Sequence, residues 1–234
     1  MSEKKTRVSA VIVAAGKGKR FSGGIKKQFY PVKGKPIIVW TINAFVKNKR
    51  VDDIIIVLEK EDKGYFSKEI LGRFQFSKDI RLVDGGPMRQ DSAYNGITSV
   101  TEDTDIILIH DGARPFVKGE IIEKVIDESI KEGAAVAAVK QNDTTIYSEG
   151  GYIKNFINRE FVYGVQTPQA FRRELIMKGF QKAYEDKFYG TDDSSLVVRM
   201  GKKVKIVEGS IDNIKITSRD DIYIAEKILE NFGE

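Results

Sequence analysis

Five short apolar runs, Val8–Val13, Ile54–Leu58, Ile80–Val83, Ile106–His110 and Ala134–Val139, mark the first 140 residues, and a helix-patterned stretch separates each from the next. The runs are too short for helices and lack the apolar–polar alternation of a half-exposed strand, so each is expected to be buried on both faces. Strands of that kind, alternating with helices, build a parallel sheet covered on both sides. The expected fold is α/β: a Rossmann-like, doubly wound, mostly parallel sheet with helices on both faces. The helices are expected over Pro36–Asn48, with Ile37, Trp40, Thr41 and Phe45 as one face, then over Tyr65–Phe74, Arg89–Val100 and Glu120–Glu132.

After Val139 the rhythm changes. Thr144–Tyr147 and Tyr152–Ile157 read as two strands joined at Glu149-Gly150-Gly151, a hairpin signal that interrupts the alternation and is expected to project from the sheet. Helices over Arg172–Glu185 and near Asp193–Arg199, a strand at Lys205–Val207 and a last helix from Ser218 to Phe232 complete the pattern. No repeat or linker divides the chain, so one domain over residues 1–234 is expected, with an arm at about 140–160.

Composition removes several chemistries. With no cysteine and one histidine, the chain has no thiol nucleophile, disulfide, thiolate-ligated metal or multi-histidine metal centre. Nothing in it is apolar for long enough to span a membrane, and the first residues lead into a strand without a signal-peptide core, so a cytoplasmic location is expected. The net charge of +5 favours anionic partners. Its Lys and Arg are scattered among acidic residues rather than gathered on one face with aromatics, which points away from nucleic acid and towards small phosphorylated molecules.

Ligands of such sheets sit beyond the carboxyl ends of the strands, and three unusual loops fall there. Ala14-Ala15-Gly16-Lys17-Gly18-Lys19-Arg20-Phe21 has Phe21 where a dinucleotide fingerprint needs glycine, and Arg20 where a P-loop needs Ser or Thr. What remains is a Gly-rich turn with exposed amides and the cations Lys19, Arg20, Lys26 and Lys27, suited to a phosphate, or else an ordinary basic loop. Gly85-Gly86-Pro87-Met88-Arg89-Gln90-Asp91-Ser92 is either a helix cap or a place where a flat base lies against the main chain beside the Ser92 hydroxyl. In His110-Asp111-Gly112-Ala113-Arg114-Pro115, Asp111 is either an ion-pair partner of Arg114 or a carboxylate for Mg²⁺, which takes one or two carboxylates plus substrate phosphates. His110 is expected to be packed rather than catalytic.

Taken in order, Ala-Ala-Gly-x-Gly-x-Arg, Lys-Gln, Gly-Gly-x-x-Arg-x-x-Ser, His-Asp-x-Ala-Arg-Pro, Thr-Pro-Gln, Thr-Asp-Asp-x-Ser and Asp-Asn-Ile-Lys resemble the 2-C-methyl-D-erythritol 4-phosphate cytidylyltransferases, within the nucleotide-diphospho-sugar transferase superfamily. The resemblance runs from about Val8 to Lys227. It implies transfer of CMP from CTP to methylerythritol phosphate with release of pyrophosphate, on the non-mevalonate isoprenoid pathway. It assigns Ala14, Ala15, Gly16 and Gly18 to the triphosphate, Arg20 and Lys27 to the transition state, and Gly86 and Ser92 to the cytosine and its surroundings. Asp111 is assigned to Mg²⁺ and the nucleotide, and Lys215 and Arg159 to the sugar phosphate, assisted by Arg114, Thr144, Thr167 and Thr191. It also implies a homodimer whose arm carries Arg159 into the neighbour's site.

Lys26 stands where the family commonly has proline, so the sequence leaves open which of Lys26 and Lys27 points inward; alignment favours Lys27. A ribitol 5-phosphate cytidylyltransferase is the nearest rival, although Thr191–Ser195 and Asp212-Asn213 favour methylerythritol phosphate. A non-catalytic nucleotide-binding module and a nicotinamide dehydrogenase are more distant rivals.

Overall fold

A computed structural model describes residues 5–16, 18, 21 and 25–231. The elements run β1 (Val8–Val13), a 3₁₀ turn (Lys27–Phe29), the ribbon β2 (Pro31–Val32) and β3 (Lys35–Pro36), then α1 (Ile37–Val46). Next come β4 (Asp53–Leu58), α2 (Asp62–Tyr65, continued by a π-helical turn, Phe66–Leu71), β5 (Ile80–Asp84) and α3 (Arg89–Thr98). They are followed by β6 (Ile106–Asp111), α4 (Gly119–Glu132), β7 (Ala134–Lys140) and the hairpin β8 (Thr145–Glu149) and β9 (Tyr152–Ile157). The chain continues with β10 (Tyr163–Arg172), α5 (Arg173–Glu185), α6 (Asp193–Arg199), β11 (Lys205–Glu208) and α7 (Asp220–Asn231).

The seven-stranded sheet has the order β11-β7-β10-β6-β1-β4-β5. β10 lies antiparallel to β6 and β7, and the other neighbours are parallel. β1 sits where the order reverses, between β4 and β6. Val13 is paired with Val57 on one side and Asp111 on the other, so the three carboxyl ends open onto one crevice.

The strand period explains the layers. Ala10, Ile12, Ile54, Ile56 and Leu108 face α1 and α4, whereas Val11, Ile55, Val57, Ile107 and Ile109 face α3, α5 and α6. Each such aliphatic side chain, removed from water, contributes about 1.5–3 kcal/mol before the entropy of ordering it is subtracted. α3 lies close because Gly96 has no side chain: a Cβ there would stand 2.3 Å from Val11 Cγ1. α1 buries more than the expected stripe, since Ile38, Val39 and Ile42 are covered too. Its outer side lies under Phe116 and α7, so the helix is sandwiched between the sheet and a third layer.

One strand has no counterpart in the sequence pattern. That pattern leaves 158–171 without an element and starts a helix at Arg172, yet Tyr163–Arg172 forms β10 in mid-sheet. Gln166, Thr167, Pro168 and Gln169 interrupt its apolar character, and the register shifts between Val165 and Gln169. A proline at such an irregularity removes no ladder bond that the sheet needs.

The expected hairpin forms its own two-stranded sheet apart from the main one. Gly150 (φ +59°) and Gly151 (φ +82°) make its turn, a conformation that glycine adopts without strain. Every residue of β9 is exposed. Among the described residues, no helix is long and apolar enough to cross a membrane.

Candidate active site

A cavity of about 1070 Å³ opens beyond the carboxyl ends of β1, β4 and β6. Three loops far apart in sequence meet there because glycines let them. A Cβ on Gly85 would lie 2.3 Å from Ala15 Cβ, and one on Gly86 would lie 2.4 Å from Asp91 Cβ. The main chain of both loops therefore reaches the cavity without side chains in between.

The first loop is held from beneath. Gln28, buried on the 3₁₀ turn, donates from Nε2 to the Ala14 carbonyl at 3.0 Å. The Lys-Gln pair thus has two tasks: Gln28 ties the turn to the end of β1, and Lys27, its neighbour, lines the cavity. Lys26 also lines it, but its ammonium is paired with Glu59 and, at 2.8 Å, with Asp62.

The second loop combines the helix cap and the cavity-facing serine that its sequence allowed. Asp91 Oδ2 accepts from the Met88 amide at 3.0 Å, closing a helix cap on α3. The Ser92 hydroxyl accepts from the Gly86 amide at 3.1 Å and donates back to the Met88 carbonyl at 3.1 Å. Ser92 is buried, lines the cavity and fixes the shape of the Gly85–Met88 loop.

Asp111 is the electrostatic centre. Its carboxylate receives Arg89 Nε at 3.2 Å on Oδ1, Lys215 Nζ at 2.8 Å on Oδ2, and Arg114 Nε at 3.7 Å on Oδ2. Burial alone would raise its pKa, but Arg89 and Lys215 hold it well below the ordinary carboxylate range. Arg89 reaches on to Asp193 with Nη2 at 2.8 Å, and its two carboxylate partners outweigh burial to leave its guanidinium firmly charged. Arg114 donates from Nη1 to the Asn213 carbonyl at 2.8 Å, which joins the Asp-Asn-Ile-Lys segment to this knot.

His110 is not poised as a base. It is fully buried, packs against Phe45 in a tilted arrangement with ring centroids 4.8 Å apart, and burial pushes its imidazole down to about 4. Nε2 lies 3.0 Å from the Arg114 carbonyl, which only accepts, so Nε2 carries the hydrogen. Nδ1 then accepts from the Thr167 hydroxyl at 3.1 Å, and that oxygen accepts from the Asp111 amide at 3.0 Å. His110 is packed, as the sequence suggested, and it braces the Asp111–Arg114 turn.

The structure brings Ala14, Ala15, Gly16, Gly18, Lys27, Gly86, Ser92, Asp111 and Lys215 onto one cavity. Arg114 and Thr167 stand directly behind Asp111. Arg20 lies outside the described residues. Thr144, Arg159 and Thr191 do not line the cavity. Arg159 is on the exposed arm, where Nη1 donates to the Asn142 carbonyl at 3.0 Å.

Sequence reasoning assigned no role to Arg89, Asp193 or Gln28, although all three stand inside the family's motifs. Arg89 was recoverable only together with Asp193, 104 residues away.

Among the described residues, no three carboxylate or imidazole groups gather to hold a metal. One carboxylate at a cavity of this size fits a Mg²⁺ that arrives on a nucleotide and takes most of its ligands from phosphate and water. It does not fit an ion held by the protein alone.

The family model described as 2-C-methyl-D-erythritol 4-phosphate cytidylyltransferase matches residues 8–231. A cytidylyltransferase of that description from Geobacillus kaustophilus is 42% identical over 220 residues, covering 94% of this chain and 96% of the relative. Another, from Caldanaerobacter subterraneus, is 43% identical over 223 residues, covering 95% and 98%. The crystal structure of 4-diphosphocytidyl-2C-methyl-D-erythritol synthase from Anaerococcus prevotii superposes with a TM-score of 0.86 at 34% identity, covering 97% of each chain.

Proposed function

The chain belongs to the 2-C-methyl-D-erythritol 4-phosphate cytidylyltransferase family, and from that premise we propose that it transfers CMP from CTP to 2-C-methyl-D-erythritol 4-phosphate. A phosphate oxygen of the acceptor attacks the α-phosphorus of CTP. The bond from that phosphorus to the bridging oxygen breaks, and pyrophosphate leaves with the electron pair. The product is 4-diphosphocytidyl-2-C-methyl-D-erythritol, an intermediate of non-mevalonate isoprenoid synthesis.

The observation that carries the proposal is a cavity of about 1070 Å³ rich in cations and main-chain amides, with the chain's one histidine neutral and locked behind it. A phosphate monoester has a second pKa of about 6 and is mostly dianionic at neutral pH, so it needs no base to attack. The obstacle is repulsion between two anions. The amides of the Ala14–Gly18 loop and Lys27 would hold the triphosphate, with Arg20 adding a further cation, and Gly86 and Ser92 would shape the cytosine subsite. Mg²⁺ borne by the nucleotide and held at Asp111 would neutralise phosphate charge. Lys215, assisted by Arg114 and Thr167, would receive the acceptor's phosphate, and fixed donors of this kind stabilise charge as it develops at phosphorus.

Thr144 and Arg159 take their place if two chains pair through the arm. Tyr152, Phe156 and Phe161 are 77%, 63% and 79% exposed there, apolar area that a second copy would cover and that would bring Arg159 to the neighbouring cavity. The proposed location is the cytoplasm.

Incubation with CTP, Mg²⁺ and methylerythritol phosphate, followed by mass analysis, tests the assignment. It predicts the cytidine diphosphate product and one equivalent of pyrophosphate. Pyrophosphate release with ribitol 5-phosphate and none with methylerythritol phosphate would overturn it.

A further inference from the structure

The turn that presents Lys27 is anchored at three points. Gln28 holds the end of β1. Phe29 packs on Tyr65 and Phe66, with ring centroids 4.8 and 6.5 Å away. Lys26 forms the third anchor, its Nζ lying between Glu59 and Asp62 on the segment that leaves β4. Asp62 is buried, while Glu59, like Lys26, lines the cavity. Two carboxylates therefore stand beside the place proposed for a triphosphate, and one ammonium neutralises part of their charge. Burial alone would lower the Lys26 pKa, but Asp62 and Glu59 more than offset it, so the ammonium remains charged.

We propose that Lys26 is a positioning residue for the nucleotide: it offsets the negative charge of Glu59 and Asp62 at the cavity rim and holds the Lys27 turn against them. This rests on the proposed CMP transfer for the identity of the ligand. Lys26 acts here through Glu59 and Asp62, without touching phosphate. Without the ammonium, the two carboxylates repel an incoming polyphosphate, and the turn loses one of its three anchors.

The test is a comparison of CTP affinity by calorimetry, in Mg²⁺, for the wild type, Lys26→Met, Lys26→Arg and the triple variant Lys26→Met/Glu59→Gln/Asp62→Asn. The expected result is a weakening on the order of tenfold in Lys26→Met, the scale of one partly screened unit charge. Affinity should return to within about threefold of wild type in the triple variant and in Lys26→Arg. The loss in Lys26→Met should also shrink as salt is raised, because exposed charges are screened. In turnover, the change should fall on KM for CTP and leave kcat nearly unchanged.

Wild-type affinity in Lys26→Met would overturn the proposal. So would a loss that persists undiminished in a triple variant with a wild-type melting curve, since it would mean that Lys26 contacts the nucleotide itself. Because the readout is CTP binding, a wild-type chain that bound CTP yet transferred nothing to methylerythritol phosphate would refute the transfer reaction and leave the Lys26 comparison standing.

Discussion

The cavity floor and the arm are opposite solutions to one problem, what to do with strong surface. At the floor Asp111, Arg89 and His110 all have partners within the chain. Asp111 has three cations, Arg89 has two carboxylates, and His110 has a carbonyl, a hydroxyl and the Phe45 ring. The arm leaves Tyr152, Phe156 and Phe161 in solvent, and among the described residues Arg159 reaches only the Asn142 carbonyl. A floor of paired charges can be preorganised before substrate arrives, whereas the arm has apolar area that none of the described residues covers. The difference teaches that the cavity floor needs no second chain to hold its charges in place, whereas the role proposed for the arm depends on one.

The sharpest way to test the floor is to remove a cation. Lys215→Ala should lower kcat by about 10²–10³, or roughly 3–4 kcal/mol, as losing one preorganised donor does. Its melting temperature should stay near wild type, since Asp111 retains Arg89 and Arg114. Turnover within a few-fold of wild type would remove Lys215 from the site.

The two regions should also differ in stability. Ile56 is fully buried in β4, so Ile56→Ala should cost about 2–5 kcal/mol in urea unfolding. Phe156→Ala, measured at a protein concentration low enough to keep the chain monomeric, should cost about 0.5 kcal/mol or less. Equal losses would mean that the arm is packed against its own chain.

Acid should act through the one histidine, at the floor. His110 has a folded pKa of about 4, below the unfolded value of about 6.5. Below about pH 6.5 the unfolded chain therefore binds a proton that the folded chain refuses, and stability falls as pH drops towards 4. Between pH 7 and 5 the loss should be roughly 2 kcal/mol by urea unfolding, and it should be absent in His110→Asn. The same slope in the variant would place the effect elsewhere.

The arm can be broken by complementation. Lys215→Ala and Arg159→Ala chains, mixed and allowed to exchange, should regain about a quarter of wild-type activity if pairing is random and each site draws on both subunits. No recovery, with exchange verified, would confine the site to one chain.

Much of this was legible in the sequence. β1 keeps the bounds of its apolar run, and the 150–151 glycines marked the hairpin turn, because strand burial and left-handed backbone leave local signatures. β10 left none: its Gln166, Thr167 and Gln169 are polar because they hold Ser210, Asp111 and Asp192 in place, which cannot be seen without the fold. The start of α2 was placed late because Asp62 is buried against Lys26, a contact 36 residues apart. The choice between Lys26 and Lys27 had the same cause, since only the fold shows Lys26 engaged by two carboxylates.

The central claim is that charge arranged in advance, and no protein base, lets two anions react. The pH dependence of kcat/KM for methylerythritol phosphate tests it most directly, because that ratio reports the free reactants. The account predicts a single rise to a plateau, with its midpoint at the acceptor phosphate's second pKa of about 6. A second inflection between about pH 5 and 9, shifted or lost on substitution of a side chain in the cavity, would reveal a protein acid or base and contradict it.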